Sequence, residues 1–149
     1  MAERSAVAVE HELAIRNLLA RYADAVCRRD ASAWISTWAA DCIWDLGGGR
    51  VTRGREETLA LWRKSIGKYR WVAQLPASGV VERVDGEVCG RWYVLELNHL
   101  ADGSGVMHLG HYRDTYVRTD EGWQFGSRSF HLIYRGAMDA GTVNPLLEG

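Results

Sequence analysis

Proline and cysteine are scarce in this sequence of 149 residues, and each shortage limits the kinds of structure that the chain can form. The only prolines are Pro76 and Pro145, and we expect the first to bulge an edge of a sheet. Cys27, Cys42 and Cys89 are widely spaced and form no C-x-x-C pair. This argues against a disulfide framework or a zinc knuckle and suits a reducing compartment. We therefore predict a cytoplasmic protein without a metal.

The sequence also lacks a charge excess and a long apolar run. The formal net charge is -1, so no global field favours nucleic acid or an anionic membrane. No stretch approaches the ~18 apolar residues of a membrane span. The first dozen residues contain acids and no long apolar run, so no signal peptide is visible. We expect neither a nucleic-acid partner nor a membrane partner.

Aromatic residues are plentiful, with seven tryptophans. Apolar residues make up 47% and charged residues 25%, which is ordinary for a globular protein. The length fits a single domain spanning residues 1–149. Large aromatics fill cores and also line ligand pockets.

Three stretches have helical periodicity. The first runs from about Val9 to Arg28, and the third from Arg55 to Ile66. Asp30 or Ser32 is expected to cap a short helix between them. That short helix carries three large apolar residues, Trp34, Ile35 and Trp38.

Strand patterns begin between the helices and then dominate. Cys42–Leu46 is predicted to turn at Gly47–Gly49 and pair back through Val51–Thr52. The last three strands are long and joined by tight turns, which predicts an antiparallel meander. The tail, Gly136–Gly149, is expected to be loose or to pack on another subunit. The later candidate strands are Trp71–Leu75, Gly79–Val84, Val88–His99, Val106–Arg118 and Trp123–Tyr134.

Helices followed by a long antiparallel sheet predict an α+β fold. A strongly curved sheet wrapped on a helix leaves a closed end and an open mouth, and such mouths are common ligand sites. We therefore expect a pocket for a small hydrophobic organic molecule.

Several short runs occur in a characteristic order and spacing: Arg21-Tyr22-Ala23-Asp24-Ala25, Asp30 and Trp34, Asp41-Cys42-Ile43-Trp44-Asp45, Gly110 to Tyr116, Asp120 to Trp123, and Arg128. Together they resemble the SnoaL-like proteins of the nuclear-transport-factor-2-like superfamily. The resemblance implies a cone-shaped α+β fold, proton-transfer chemistry without a metal or organic cofactor, and a homo-oligomer, either a trimer or a dimer. The enzymes of this superfamily include scytalone dehydratase, bile acid 7α-dehydratase and hexachlorocyclohexane dehydrochlorinase, and other members only bind or scaffold.

The resemblance also implies site positions, which this sequence fills only in part. Asp24 falls at the catalytic aspartate of the dehydrochlorinase, while the dehydratases' helix acid corresponds to Cys27. The histidine base of these relatives should fall near Ala73 or Gln74, where no histidine occurs. Further pocket positions of the relatives correspond to Glu96, to Asn98 or His99, and to Arg128.

Strand alternation predicts which side chains share the concave face. Tyr112 and Asp114 are placed there by the resemblance. The full predicted set of pocket-lining residues is Tyr22, Trp38, Trp44, Gln74, Trp92, Asn98, Tyr112, Asp114 and Phe130, and the predicted catalytic residues are Asp24, Glu96, His108 and Arg128.

The charged candidates each have two interpretations. Asp24 is either a general acid or base with a pKa raised by desolvation, or a partner in an ion pair with Arg128, Arg21 or Arg28. Arg128 either binds a carboxylate or enolate-like oxygen, or pairs structurally with Asp24 or Asp114. An inward Glu96 is either paired or functional, because burying an acid is costly.

The histidines do not predict a metal site. His108 and His111 lie three apart on a strand and point to opposite faces, so they cannot chelate one ion. His108 is the candidate acid–base group. His99, His111 and His131 are expected at the surface or at a subunit interface.

Three functions follow. The first is a cofactor-independent lyase, isomerase or cyclase in which Asp24 transfers a proton, assisted by His108 or Glu96. The second is a non-catalytic binding module or auxiliary subunit, which the missing histidine favours. The third is an epoxide hydrolase built on a cluster of Asp24, Arg128 and Asp114.

Overall fold

Three helices in the first half of the chain pack on a seven-stranded sheet that takes up most of the second half. The computed structural model describes residues 1–139 and residue 141. The helices are α1 (Val9–Arg28), α2 (Ala31–Ser36) and α3 (Gly54–Ile66), and the strands are β1 (Arg4–Ser5), β2 (Trp38–Asp45), β3 (Val51–Arg53), β4 (Tyr69–Val84), β5 (Glu87–Leu100), β6 (Gly105–Thr119) and β7 (Gly122–Met138).

The first two helices are separated by a tight corner. α1 ends at Arg29, whose φ of 54° reverses the chain in a left-handed conformation. Asp30 then caps α2, accepting a 2.9 Å hydrogen bond from the Ala33 amide, as predicted. The predicted helical position of Trp38 is wrong, because α2 ends at Ser36, Thr37 caps it, and Trp38 begins β2.

The sheet runs in the order β1-β4-β5-β6-β7-β2-β3, and its strands pair antiparallel except for β2 with β7. β5, β6 and β7 form the predicted meander. Two features differ from the prediction. The short β1 was not anticipated, and the two strands predicted before and after Pro76 are one strand, β4, whose register shifts between Pro76 and Gly79. This confirms an α+β fold with a curved, mostly antiparallel sheet.

The end of the meander is longer than its sequence pattern indicates. β7 continues through Gly136 to Met138, so this part of the predicted tail is a strand. The rest of that tail, apart from residues 139 and 141, lies outside the described residues.

The hydrophobic core is an aromatic cluster between the helices and the sheet. Trp34 stacks on Trp62 with ring centroids 4.8 Å apart, and Tyr22 packs edge-on against Phe125 at 5.4 Å. These rings are buried, and their packing holds α1, α2 and α3 against the strands. No helix in the described residues is long and apolar enough to cross a membrane.

Candidate functional site

A cavity of about 880 Å³ lies between the helices and the concave face of the sheet. Apolar and aromatic side chains make up much of its wall, as is usual for small-molecule pockets. The lining includes two residues of α1 (Tyr22, Val26), five around β2 and its following loop (Trp44, Leu46, Gly47, Gly48, Arg50), three of α3 (Trp62, Ser65, Ile66), and Lys68, Tyr69, Gln74, Val94, Glu96, Leu100, Val106, His108, Tyr112, Phe130, His131, Leu132 and Arg135.

A single polar row crosses this wall. Gln74 of β4 is the register partner of Glu96 of β5, which is the partner of His108 of β6, which is the partner of Arg135 of β7. Directly opposed side chains on one face lie within interaction distance. The register therefore places one amide, one carboxylate, one imidazole and one guanidinium side by side.

The Glu96 carboxylate is held by two amides. Gln74 Nε2 donates to Glu96 Oε2 at 2.8 Å, and Asn98 Nδ2 donates to Oε1 at 3.1 Å. Neither donor carries a charge, so the carboxylate is oriented without being neutralised. An oriented, unpaired carboxylate on a largely apolar wall can accept a proton.

His108 is tied to Glu96 through Asn98. The Asn98 amide nitrogen faces a carboxylate, which can only accept, so its second hydrogen points at Nδ1 of His108, 3.0 Å away. That contact alone would place the proton of the neutral ring on Nε2. Arg135 Nε, however, donates a hydrogen bond to Nε2 at 3.3 Å. Because a neutral imidazole cannot accept at both nitrogens, the two contacts require different tautomers, and Nε2 can donate only once Arg135 has moved away.

The environment of His108 favours its neutral form. Burial lowers the pKa of His108 below the ordinary 6.5, and the neighbouring Arg135 lowers it further, against the opposing effect of Glu96. At neutral pH the ring is therefore neutral, and its Nε2 can act as an N–H donor once Arg135 no longer donates to it.

Two tyrosines close the inner part of the cavity. Tyr22 of α1 and Tyr112 of β6 are both buried and both line the cavity. Burial raises the pKa of Tyr22, and it raises the pKa of Tyr112 well above its usual value. Glu96 adds to both effects, so its charge acts on both phenols. Each hydroxyl stays protonated and can donate a hydrogen bond.

A buried ion pair between Arg128 and Asp114 contacts the rings of these two tyrosines. Arg128 Nε and Nη2 donate to the two Asp114 carboxylate oxygens at 2.8 and 3.1 Å, and the side chains are 1% and 0% exposed. The guanidinium carbon lies 3.9 Å from the Tyr112 ring centroid and 4.4 Å from that of Tyr22. Burial alone would lower the pKa of Arg128, but Asp114 and the tyrosines raise it. The pair therefore supports the tyrosine rings.

Asp24 does not belong to this site. Its side chain is 63% exposed and pairs with Arg28 one helical turn later, at 2.9 Å. Its predicted role as the proton-transferring residue in the pocket is therefore wrong. The cluster of Asp24, Arg128 and Asp114 is not assembled either, since only the last two meet.

The other predicted residues divide into those that line the cavity and those that lie behind it. Trp38 and Trp92 are buried in the core, where Trp92 donates to the Tyr116 hydroxyl at 2.8 Å. Asn98 is fully buried and reaches the cavity only through Glu96 and His108. Asp114 and Arg128 lie beneath the wall, and the lining residues are Tyr22, Trp44, Gln74, Glu96, His108, Tyr112 and Phe130.

The remaining histidines lie apart from the polar row. His111 stacks on His131 with ring centroids 4.9 Å apart, and it lies tilted against Tyr93 at 5.6 Å. His99 and His131 were expected at the surface or at a subunit interface, but His99 is buried and stacks on Trp71, and His131 lines the cavity. Within the described residues no three potential metal-ligating side chains come together.

Cys27 and Gln74 are in contact, although one lies on α1 and the other on β4. The backbone amide nitrogen of Gln74 donates to Cys27 Sγ at 3.2 Å, and Sγ lies 3.7 Å from the backbone carbonyl oxygen of Gln74. Cys27 is the position at which the resemblance implies the dehydratases' helix acid, and Gln74 is one of the two positions, with Ala73, near which it implies a histidine base. The structure brings the two positions together, but they hold a thiol and an amide.

Sequence patterns missed much of the rim of the cavity. Trp62 and Tyr69 supply aromatic wall, and Arg50, Lys68 and Arg135 supply positive charge. Trp62 was identified on its helical stripe but not as pocket lining. No spacing signal marks the three cations, because they lie on separate elements.

Comparisons with known proteins identify the family and the fold. The SnoaL-like domain family matches residues 7–129. Three similar solved structures are a candidate aromatic ring hydroxylase from Novosphingobium aromaticivorans (TM-score 0.82, 23% identity, 90% of this chain and 99% of that one), hexachlorocyclohexane dehydrochlorinase LinA type 2 (0.80, 22%, 87% and 90%), and a candidate scytalone dehydratase from Novosphingobium aromaticivorans (0.80, 18%, 91% and 97%).

At these identities the likeness establishes a shared fold. No curated protein matches the chain significantly. The family match covers most of the sequence and agrees with the cone-like arrangement of helices and curved sheet. The chain belongs to the SnoaL-like domain family of the nuclear-transport-factor-2-like superfamily.

Proposed function

We propose that the protein is a cofactor-independent lyase or isomerase that moves a proton on a small hydrophobic or polycyclic molecule. The observation that carries this proposal is the Glu96 carboxylate, oriented by Gln74 and Asn98 on the wall of a largely apolar cavity. The fold, shared with a dehydrochlorinase and a candidate dehydratase, supports lyase-type chemistry.

Glu96 is the base in this proposal. It takes a proton from a carbon next to a carbonyl group, and the electron pair of the broken C–H bond becomes an enolate. In an elimination, the enolate re-forms the carbonyl as a β-hydroxyl group leaves, and Glu96 returns the proton to that hydroxyl as water. In an isomerisation, the same proton returns to another carbon.

Neutral donors stabilise the enolate oxygen. His108 can present an Nε2 proton near Glu96 once Arg135 has moved away, and the Tyr22 and Tyr112 hydroxyls stay protonated in the same cavity. Donors fixed before the reaction stabilise a developing oxyanion without reorganising. The aromatic wall, including Trp44 and Phe130, holds the ring system and excludes water.

A non-catalytic binding module is the second candidate. Cys27 occupies the position where the resemblance implies a helix acid, and the expected histidine is absent from Ala73 and Gln74, so this dyad of the relatives is missing. The epoxide hydrolase is not retained, because Asp24 lies apart from the buried Arg128–Asp114 pair.

Self-association stays a proposal. Leu75, Leu95, Leu109 and Tyr134 form one cross-strand row on the outer face of the sheet, continuous through β4 to β7. Leu75 and Tyr134 are each 49% exposed. A contiguous exposed apolar row favours contact with a second copy, and sedimentation analysis distinguishes a monomer from a dimer or trimer.

Turnover of a panel of cyclic β-hydroxy ketones and unsaturated ketones tests the proposed activity. We expect Glu96→Gln to lower kcat by about 10²- to 10⁴-fold, the usual contribution of a general base. Glu87→Gln is the matched control, since Glu87 lies on the same strand but is exposed outside the cavity. Ligand binding without turnover by the wild type would instead favour the binding module.

A further inference from the structure

The mouth of the cavity is cationic, although the chain as a whole is not. Arg50 from the loop after β2, Lys68 from the segment after α3 and Arg135 from β7 all line it. Glu96 is the only acidic residue among the described lining residues. The formal net charge of the whole chain is -1, so this local excess of positive charge is a feature of the cavity.

These three cations lack carboxylate partners within the described residues. Arg50 donates only to the backbone oxygens of Leu46 and Gly47, at 3.1 and 3.4 Å. Arg135 contacts the neutral ring of His108, which cannot balance its charge. Lys68 forms no ion pair in the described part of the chain. Three exposed arginines away from the cavity do pair with carboxylates: Arg4 with Glu82, Arg16 with Glu12 and Arg28 with Asp24.

Two of the three cations, Arg50 and Arg135, act electrostatically on the Tyr69 phenol. Burial and Glu96 raise the pKa of Tyr69, and the charges of Arg135 and Arg50 act in the opposite direction. Both guanidinium groups therefore lie near the same lining residue, although they come from separate elements. Lys68 directly precedes Tyr69 in the sequence and also lines the cavity.

We propose that the substrate carries a carboxylate that remains at the mouth of the cavity, held by Arg50, Lys68 and Arg135, while its ring system enters the apolar interior. Forked guanidinium groups match the geometry of a carboxylate. Recruitment of Arg135 to the carboxylate frees Nε2 of His108 to donate to the reacting oxygen. The substrate class is thus a cyclic or polycyclic acid, which deepens and rests on the proposed lyase function.

Paired probes test this inference. Binding of 1-naphthylacetate and of 1-naphthylacetamide, extended to larger ring acids and their amides, is measured by calorimetry and by fluorescence of the lining tryptophans. We expect the acids to bind at least about tenfold more tightly at low ionic strength, from several modest ion pairs. The preference should shrink in salt and disappear when Arg50, Lys68 and Arg135 are all replaced by Gln.

Arg63→Gln is the control, since Arg63 is an exposed residue of α3 that does not line the cavity. It should leave the preference unchanged. Equal affinities for acids and amides, a preference that survives the triple substitution, or failure of every acid to bind would overturn the inference.

Parallel turnover assays distinguish this inference from the proposed function. Preferred binding of acids that are never turned over would support the carboxylate site and contradict the lyase. Turnover of neutral ketones that depends on Glu96, without any preference for acids, would support the lyase and contradict the carboxylate site.

Discussion

Glu96 and His108 face each other across β5 and β6, and the Asn98 amide bridges them at 3.1 and 3.0 Å. This bridge has two effects. It orients the carboxylate, and it favours the His108 tautomer whose proton lies on the nitrogen away from Asn98, the nitrogen to which Arg135 donates in this structure. A base and a neutral donor are thereby held on one wall without a direct contact that would join them in an ion pair.

Replacing Asn98 by Leu keeps the approximate volume and removes the bridge. We expect kcat to fall about 10- to 100-fold, as for other residues that orient a reacting group, and the pKa of His108 to rise, since a hydrogen bond to the neutral ring is lost. NMR titration of the His108 ring measures this shift. A merely structural Asn98 would lower stability and leave the titration of a folded variant unchanged.

His108 should make stability depend on pH in a defined window. Its pKa in the folded protein lies below the ordinary 6.5, so the unfolded chain binds the proton more readily between the two values. Stability therefore falls as the pH drops through about 6.5 towards the folded pKa. Thermal melts between about pH 7.5 and pH 5 should show a larger loss for wild type than for His108→Gln. Parallel pH profiles would contradict this.

Asp114 and Arg128 should be far more sensitive to single than to paired substitution. Asp114→Asn leaves a buried guanidinium without a counter-charge, and we expect a loss of about 3–5 kcal/mol in the free energy of unfolding. The double variant Asp114→Leu with Arg128→Met removes both charges and should recover much of that loss. Urea denaturation measures both. A harmless Asp114→Asn would show that the pair is not the support of the tyrosine rings.

Asp24 provides the contrasting case. Because it forms an exposed ion pair with Arg28, Asp24→Asn should change the free energy of unfolding by less than about 0.5 kcal/mol. Turnover should match that of wild type. A collapse of turnover in this variant would restore the role that the sequence pattern assigned to it.

The helix register explains why Asp24 was misplaced. Successive helical residues rotate by about 100°, so Asp24 lies far around the helix from Tyr22, which faces the cavity. The apolar stripe through Tyr22 and Val26 was correctly predicted, and it already excluded Asp24 from the same face. The prediction for Asp24 followed the family resemblance rather than the helical periodicity, and the periodicity was the better guide.

Strand alternation predicted the polar row except for its last member. Glu96, His108 and Tyr112 share the concave face as expected from their spacing. Arg135 escaped because the β6–β7 register shifts after Leu109, so that Gly110 pairs with Leu132 while Leu109 pairs with Tyr134. The extra residue reverses the alternation, and no local pattern marks it.

Inward-facing residues of the core and of the cavity have the same sequence pattern. Trp38 and Trp92 were expected to line the pocket and are instead packed in the interior, whereas Trp44 lines the cavity. Burial and alternation are alike for all three. Only the space left between α3 and the sheet decides which aromatic ring a ligand can touch.

The most direct test of the central claim is proton exchange at carbon. A cyclic ketone that binds in the cavity is incubated with the protein in deuterium oxide, and NMR follows loss of the signal from the hydrogens next to the carbonyl. Wild-type protein and Glu87→Gln should accelerate the exchange, and Glu96→Gln should lower that acceleration by about 10²-fold or more. Equal exchange in wild type and Glu96→Gln would contradict the assignment of Glu96 as the base.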